Sequence, residues 1–135
     1  MKIKLIDFGY THAPKRAHEN DAGADVYATQ RVSIPPHTTY SMPLGFGLEL
    51  PVGLAAYVFP RTSTAGHGHV CQLPPVDSTY TGPIHAILSN LTQDVWDIEV
   101  DDRIGQLVIT PIILADFVAE DTNKRGAGNF GSTGR

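Results

Sequence analysis

Ten prolines, at positions 14, 35, 36, 43, 51, 60, 74, 75, 83 and 111, decide what this chain can fold into. Proline lacks a backbone N–H, and its ring clashes with the carbonyl one turn back, so it breaks helix interiors. With prolines this frequent, an all-helical bundle is excluded. What remains between them is a series of short β-type runs. Lys2 to Ile6 alternates polar and apolar, as a half-buried strand does. Arg31 to Ile34 alternates and then meets Pro35-Pro36. Leu44 to Leu50 places Leu44, Phe46, Leu48 and Leu50 on one face. Gly53 to Phe59, Ile84 to Leu88, Val95 to Val100, Ile104 to Thr110 and Ile112 to Val118 complete the set. Many short strands separated by turn residues predict an all-β sandwich or barrel. Only Thr62 to Ala65 can start a helix, and Gly66 stops it.

The chain has 135 residues with 13 Gly and 10 Pro, and it reads as one domain with a core of its own. Its net charge of −4 argues against a general nucleic-acid binder, which carries a basic patch, but leaves room for a phosphate ligand held by a few arginines. The single cysteine, Cys71, excludes an internal disulfide and fits a reducing compartment. No apolar run approaches the ~20 residues of a membrane span, and the first residues, broken by Asp7 and Gly9, are not a secretory signal. The expectation is a cytoplasmic protein with neither nucleic-acid nor membrane partners. The last stretch, Asp121 to Arg135, differs in character: it holds four glycines, Phe130, Lys124 and two arginines. It reads either as a disordered terminus or as a flexible arm that orders over a ligand, with Arg125 as a phosphate fork and Phe130 as a stacking face.

Four internal segments combine residue types that can carry chemistry. Asp21 to Asp25 is an Asp/Gly turn or a carboxylate near a metal-bound phosphate. Pro60 to Ala65 offers Thr62 or Ser63 as a helix N-cap, and Arg61 beside free N–H groups makes the same place an anion site. Val76 to Gly82, between Pro74-Pro75 and Pro83, is a turn or a rigid hairpin that sets Asp77 beside Tyr80. Asp101 to Gln106 opens the most apolar run, where the amide of Gln106 requires partners. His67, His69 and Cys71 share a face if extended, which would suit zinc, although Gly66 and Gly68 favour a loop with incidental histidines. Serine-hydrolase, Walker-type and paired-cysteine motifs are missing from the sequence.

In their order, these segments and the tail resemble the five motifs of the trimeric dUTP pyrophosphatase (dUTPase) family. Ala22-Gly23-Ala24-Asp25 resembles the first, Pro60 to Ala65 the second, and Val76 to Gly82, closing at Asn90, the third. Asp102 to Leu107 resembles the fourth and Arg125 to Gly134 the fifth. The resemblance implies a β-jelly-roll over residues 1–120 with a flexible arm over 121–135, working as a homotrimer whose sites combine motifs of three chains. It implies hydrolysis of dUTP to dUMP and pyrophosphate, with Asp77 as general base for the attacking water. Tyr80 would pack on the deoxyribose and leave no room for a 2′-hydroxyl. Arg61, Thr62, Ser63 and Gln106 would hold the phosphates, and Val76 and Gly131 belong to the implied contact set. Arg125 would clamp the triphosphate, Phe130 would cover the uracil, and Ser132 and Thr133 would donate to the γ-phosphate. Mg²⁺ would ride on the phosphates, with Asp25 reaching it through water.

The sequence departs from the family pattern at several places. Thr62 and Ser63 stand where serine and glycine are usual, Pro74-Pro75 replace small or aliphatic residues, Pro83 replaces a polar one, and Asn129 replaces a glycine. The segment from Ala65 to Asp77, which in the family reads the base, is short; Cys71 or Gln72 is the expected side chain there, and recognition of uracil by backbone groups would survive the change. Two rivals share the scaffold. dCTP deaminases carry a glutamate where this chain has Ile87, which cannot move a proton. A non-catalytic nucleotide-binding regulator would have no need of Asp77.

Overall fold

The computed structural model describes residues 1–121. Ten strands and one helical turn follow one another: β1 (Lys4–Asp7), β2 (Ala24–Tyr27), β3 (Val32–Ile34), β4 (Thr38–Pro43), β5 (Phe46–Glu49), β6 (Leu54–Phe59), α1 (Thr62–Ala65), β7 (His69–Val76), β8 (His85–Asn90), β9 (Trp96–Ile98) and β10 (Arg103–Pro111). Every pair is antiparallel. A six-stranded sheet in the order β2-β10-β6-β7-β8-β4 is accompanied by the two-stranded ribbons β1-β5 and β3-β9. This is an all-β architecture, as the short strands predict, and the jelly-roll-like form that the resemblance implies.

The core lies inside this wrap. Phe46 and Leu48 of β5, Val58 of β6, Ala86 and Leu88 of β8, and Ile104 and Leu107 of β10 are buried together with Val26, Ile34, Met42 and Ile98. Asn90 is the one buried polar residue among those described. Its Nδ2 donates to the carbonyls of Ile34 (2.9 Å), Pro35 (3.3 Å) and Asp94 (2.8 Å), and its Oδ1 accepts from the N–H (3.0 Å) and hydroxyl (2.7 Å) of Thr92. A buried amide with every donor and acceptor engaged fixes the end of β8 against β3, and removing one partner would leave a costly orphan.

Several expectations need correction. No strand forms over Ile112 to Val118: beyond Pro111 the chain leaves the sheet, and Ile113, Leu114, Phe117 and Val118 are exposed. Ala24 and Asp25 are not turn residues but the start of β2, whose alternating burial the neighbouring Asp and Gly conceal. β4, Thr-Thr-Tyr-Ser-Met-Pro, is polar because it is the edge strand of its sheet and faces water on one side. His69 to Val76 is a strand rather than a loop. Its two prolines fit because Ala56 pairs with Val76 and Val58 with Leu73, so Pro74 and Pro75 together oppose Tyr57 in a β-bulge. Bulges are where proline is tolerated within a sheet, since the extra residue makes no ladder bond.

Candidate active site

Register brings two of the sequence segments together. Gln106 of β10 pairs with Asp25 of β2 on one side and with Phe59 of β6 on the other, so the three residues form a row across the sheet. β6 then ends at Pro60 and delivers Arg61 to the same place. Asp25, Arg61, Thr62, Ser63 and Gln106 line a cleft of about 330 Å³. The Gln106 side chain donates from Nε2 to the Pro60 carbonyl at 3.0 Å, which ties the end of β6 to β10. Arg61 donates to the Arg103 carbonyl at 3.4 Å, and the Arg103 guanidinium lies 3.7 Å from the Asp25 carboxylate.

Neither Thr62 nor Ser63 is the helix N-cap. Arg61 holds that position in an extended conformation, and no side chain caps the turn. The hydroxyls of Thr62 and Ser63 therefore sit inside the first turn and are exposed, together with N–H groups that have no intrahelical acceptor. Two hydroxyls, an arginine, an amide and uncapped N–H groups form a set of donors suited to phosphate oxygens. Gly23 makes the arrangement possible. A Cβ there would lie 2.2 Å from Oε1 of Gln106 and 2.8 Å from its Cβ and Cδ.

The third segment builds a second cleft. β7 and β8 pair only from His69↔Asn90 to Gln72↔Ile87, and beyond that rung the bulge carries Pro74 and Pro75 away from β8. The opened hairpin encloses about 460 Å³ between Leu73, Pro74, Pro75 and Val76 on one arm and His85 and Ile87 on the other, with Asp77, Tyr80 and Pro83 at the turn. Asp77 is exposed, and its carbonyl accepts from the Tyr80 N–H at 3.0 Å. Tyr80 donates its hydroxyl to the Pro83 carbonyl at 2.7 Å, which lays the ring over Gly82, where a Cβ would stand 2.7 Å from the phenol oxygen. The ring is thus clamped beside the Asp77 carboxylate, 46 % exposed toward the cleft.

The two clefts have no lining residue in common. One chain brings Asp25, Arg61, Thr62, Ser63 and Gln106 together, and it brings Val76, Asp77 and Tyr80 together, but it does not merge the two groups. Arg125, Phe130, Gly131, Ser132 and Thr133 lie outside the described residues. Cys71 is not a base contact. It is fully buried and packs against Gly105, where a Cβ would come within 2.6 Å of its sulfur. Burial pushes its thiol up to about 12, and among the described residues no three His, Cys, Asp or Glu side chains are placed to hold a metal ion. His69 stacks on Trp96 with ring centroids 4.3 Å apart, its pKa lowered by burial and then by the charge of His67, and His67 reaches the Ser63 carbonyl through Nδ1 at 2.6 Å. The three therefore do not converge on a metal.

The structure adds two residues that sequence reasoning left out, Arg103 beside Asp25 and His85 in the hairpin cleft. Arg103 was legible as a charge within the fourth segment. His85 carried no local signal, because only the opening of the hairpin turns it toward a cavity.

Comparison with known proteins bears on family and fold. The family model described as dUTPase matches residues 9–134. A deoxyuridine 5′-triphosphate nucleotidohydrolase of Leifsonia xyli is 40% identical over 128 residues, 90% of this chain and 84% of its own length. One from Helicobacter pylori is 36% identical over 142 residues, covering 99% of this chain and 97% of its own. Among solved structures, a dUTPase from phage phi11 of S. aureus superposes with a TM-score of 0.83 at 17% identity, over 90% of this chain and 97% of its own. The dUTPase of equine infectious anaemia virus, EIAV, does so with 0.76 at 21% identity, over 90% and 98%. The structural likeness speaks for the fold, and the sequence matches for the family: the chain belongs to the dUTPase family.

Proposed function

We propose that the chain, a dUTP nucleotidohydrolase, cleaves its substrate at the α-phosphorus by a water that Asp77 deprotonates, releasing dUMP and pyrophosphate. The observation that carries this reading is the division of labour between the two clefts. The donor-rich cleft of Asp25, Arg61, Thr62, Ser63 and Gln106 suits a triphosphate, and the apolar hairpin cleft suits a pyrimidine and its sugar. Asp77 stands at the mouth of the second, where a carboxylate open to solvent can take a proton from water. Tyr80, clamped over Gly82, presents a fixed ring to the sugar.

Because one chain keeps the clefts apart, the proposal includes a homotrimer in which the hairpin cleft of one protomer faces the phosphate cleft of the next. The arm over 121–135 closes the site from a third, with Arg125, Phe130, Gly131, Ser132 and Thr133 as its contacts. The residues present fit Mg²⁺ carried by the substrate. Asp25 is the only carboxylate lining the phosphate cleft, and among the described residues no group of three His, Cys, Asp or Glu side chains is placed to hold an ion. An ion that keeps most of its waters needs no more than Asp25 as acceptor of a water proton. When bound, it supplies neutralisation of charge on the phosphate oxygens. A dUTPase from the same phage phi11 is described with a structural Mg(II) ion.

Complementation tests both base and assembly. Asp77→Asn should lower turnover by ~10² or more, and Arg61→Ala should also be crippled. Co-expressed in equal amounts, the two defective chains should regain activity, since by random assortment about a quarter of shared sites would draw both intact residues. No recovery in verified mixed oligomers would refute sites shared between chains. Near-normal turnover in Asp77→Asn would assign the base elsewhere.

A further inference from the structure

One arm of the hairpin cleft has lost donors that would ordinarily read a base. A strand offers backbone N–H and C=O groups to a pyrimidine edge, but Pro74 and Pro75 have no N–H to give. Cys71 is in the core, Tyr80 has committed its hydroxyl to Pro83, and Asp77 is the proposed base. Leu73, Val76, Pro83 and Ile87 bring no side-chain donor. One polar side chain of the lining is left, His85. It sits on β8 one step beyond Ile87 on the same face, opposite the arm that the prolines hold open. Its Nδ1 lies 3.2 Å from the hydroxyl of Ser41 on β4, and its Nε2 has no hydrogen-bond partner among the described residues. Either group can be the donor in that bond; with the hydroxyl donating to Nδ1, the ring carries its proton on Nε2.

We propose that His85 is a specificity-determining residue for the pyrimidine, with Nε2–H as donor to the 4-carbonyl and Ser41 as the positioning residue that sets its tautomer. This rests on the assignment of the hairpin cleft to the base. Uracil presents a carbonyl on each side of its N3–H. Cytosine replaces one carbonyl by an amine, which would set donor against donor. Thymine keeps both carbonyls and is not discriminated by this contact. The bulged prolines and the histidine are then one device: the prolines remove backbone donors and open the arm, and His85 supplies a donor from the other strand.

Steady-state kinetics with competing nucleotides tests the assignment. His85→Leu should raise KM for dUTP about tenfold, the loss of one hydrogen bond to a neutral acceptor, with the defect concentrated in KM rather than kcat. The preference for dUTP over dCTP should narrow, while that over dTTP stays as it was. His85→Gln, which returns an N–H donor, should recover part of the loss, and Ser41→Ala should shift in the same direction as His85→Leu by less. Ring ¹⁵N NMR on the unaltered protein gives a readout independent of any variant's folding: dUMP should shift Nε2 of His85, and dCMP should not. Unchanged KM and dCTP preference in a folded His85→Leu, or a His85 ring silent to dUMP in protein that turns over dUTP, would overturn the proposal alone. Absence of dUTP turnover by the unaltered protein would overturn the functional reading, and this inference with it.

Discussion

Gly23→Ala isolates how the phosphate cleft is assembled. The added methyl would sit 2.2 Å from Oε1 of Gln106 and 2.8 Å from its Cβ and Cδ, so the Gln106 amide must leave its place and the β10 backbone beneath it must shift. Backbone strain is not the cause, since Gly23 is not among the glycines with positive φ. Leaving breaks the 3.0 Å bond from Nε2 to the Pro60 carbonyl, worth about 1 kcal/mol. Overpacking in a filled site adds roughly 1–3 kcal/mol, and the reduced freedom of the unfolded chain returns about 0.4–1 kcal/mol. The net cost is therefore ~1–3 kcal/mol, a loss of several degrees in Tm for a chain of this size. Turnover should fall further than stability explains, because the Pro60 carbonyl, next to Arg61, loses its tie to β10. Calorimetry and pyrophosphate release measure the two effects. The double variant Gly23→Ala/Gln106→Gly removes the Gln106 Cβ as well as its amide and so makes room for the methyl; the stability costs of the single changes should be non-additive, with the double variant more stable than their sum implies. Strict additivity, or a single variant with unchanged Tm and turnover, would refute the claim that Gly23 exists to seat Gln106.

Two further outcomes follow from the site and the core. Tyr80→Ala should narrow the preference for dUTP over UTP, with Tyr80→Phe, which keeps the ring but gives up the Pro83 bond, between the two; an unchanged ratio in both would place sugar discrimination elsewhere. Cys71, whose thiol burial raises from 9.0 to about 12, binds its proton more tightly folded than unfolded, so its contribution is intact below pH 9 and declines as pH rises from about 9 toward 12. Denaturant titrations should show a steeper alkaline loss of stability in the unaltered protein than in Cys71→Ala, and parallel curves would contradict a buried neutral thiol.

How much of this was legible from residues alone differs between the two clefts, for a physical reason. The phosphate cleft is built by a register, and its parts announce themselves as residue types: an arginine after a strand-ending proline, two hydroxyls at a helical turn, and a glutamine in an apolar strand. The amide of Gln106 had to find partners, and it found the Pro60 carbonyl and a contact over Gly23. The strands with strong apolar alternation were legible for the same reason, since burial on one face writes period two into the sequence. β4 was not, because an edge strand buries little. The apolar run after Pro111 misled, because apolar composition alone does not supply a neighbouring strand to pair with.

The hairpin cleft illustrates the harder case, in which a rule about residues is right and the inference from it is wrong. Two consecutive prolines do argue against a regular strand, and Pro74-Pro75 make no regular one. A bulge absorbs them against β6, while on the other side the ladder to β8 stops at Gln72↔Ile87. The outcome depends on which edge the prolines face, a property of sheet order rather than of sequence position. Yet that outcome shapes the cavity: the arm that leaves β8 after Gln72 lines it together with Asp77, Tyr80 and His85. The departure from the family pattern at 74 and 75 is thus located at the one place in β7 where a broken ladder is useful. Cys71, a candidate from the sequence, lies in the core, while His85 lines the cleft.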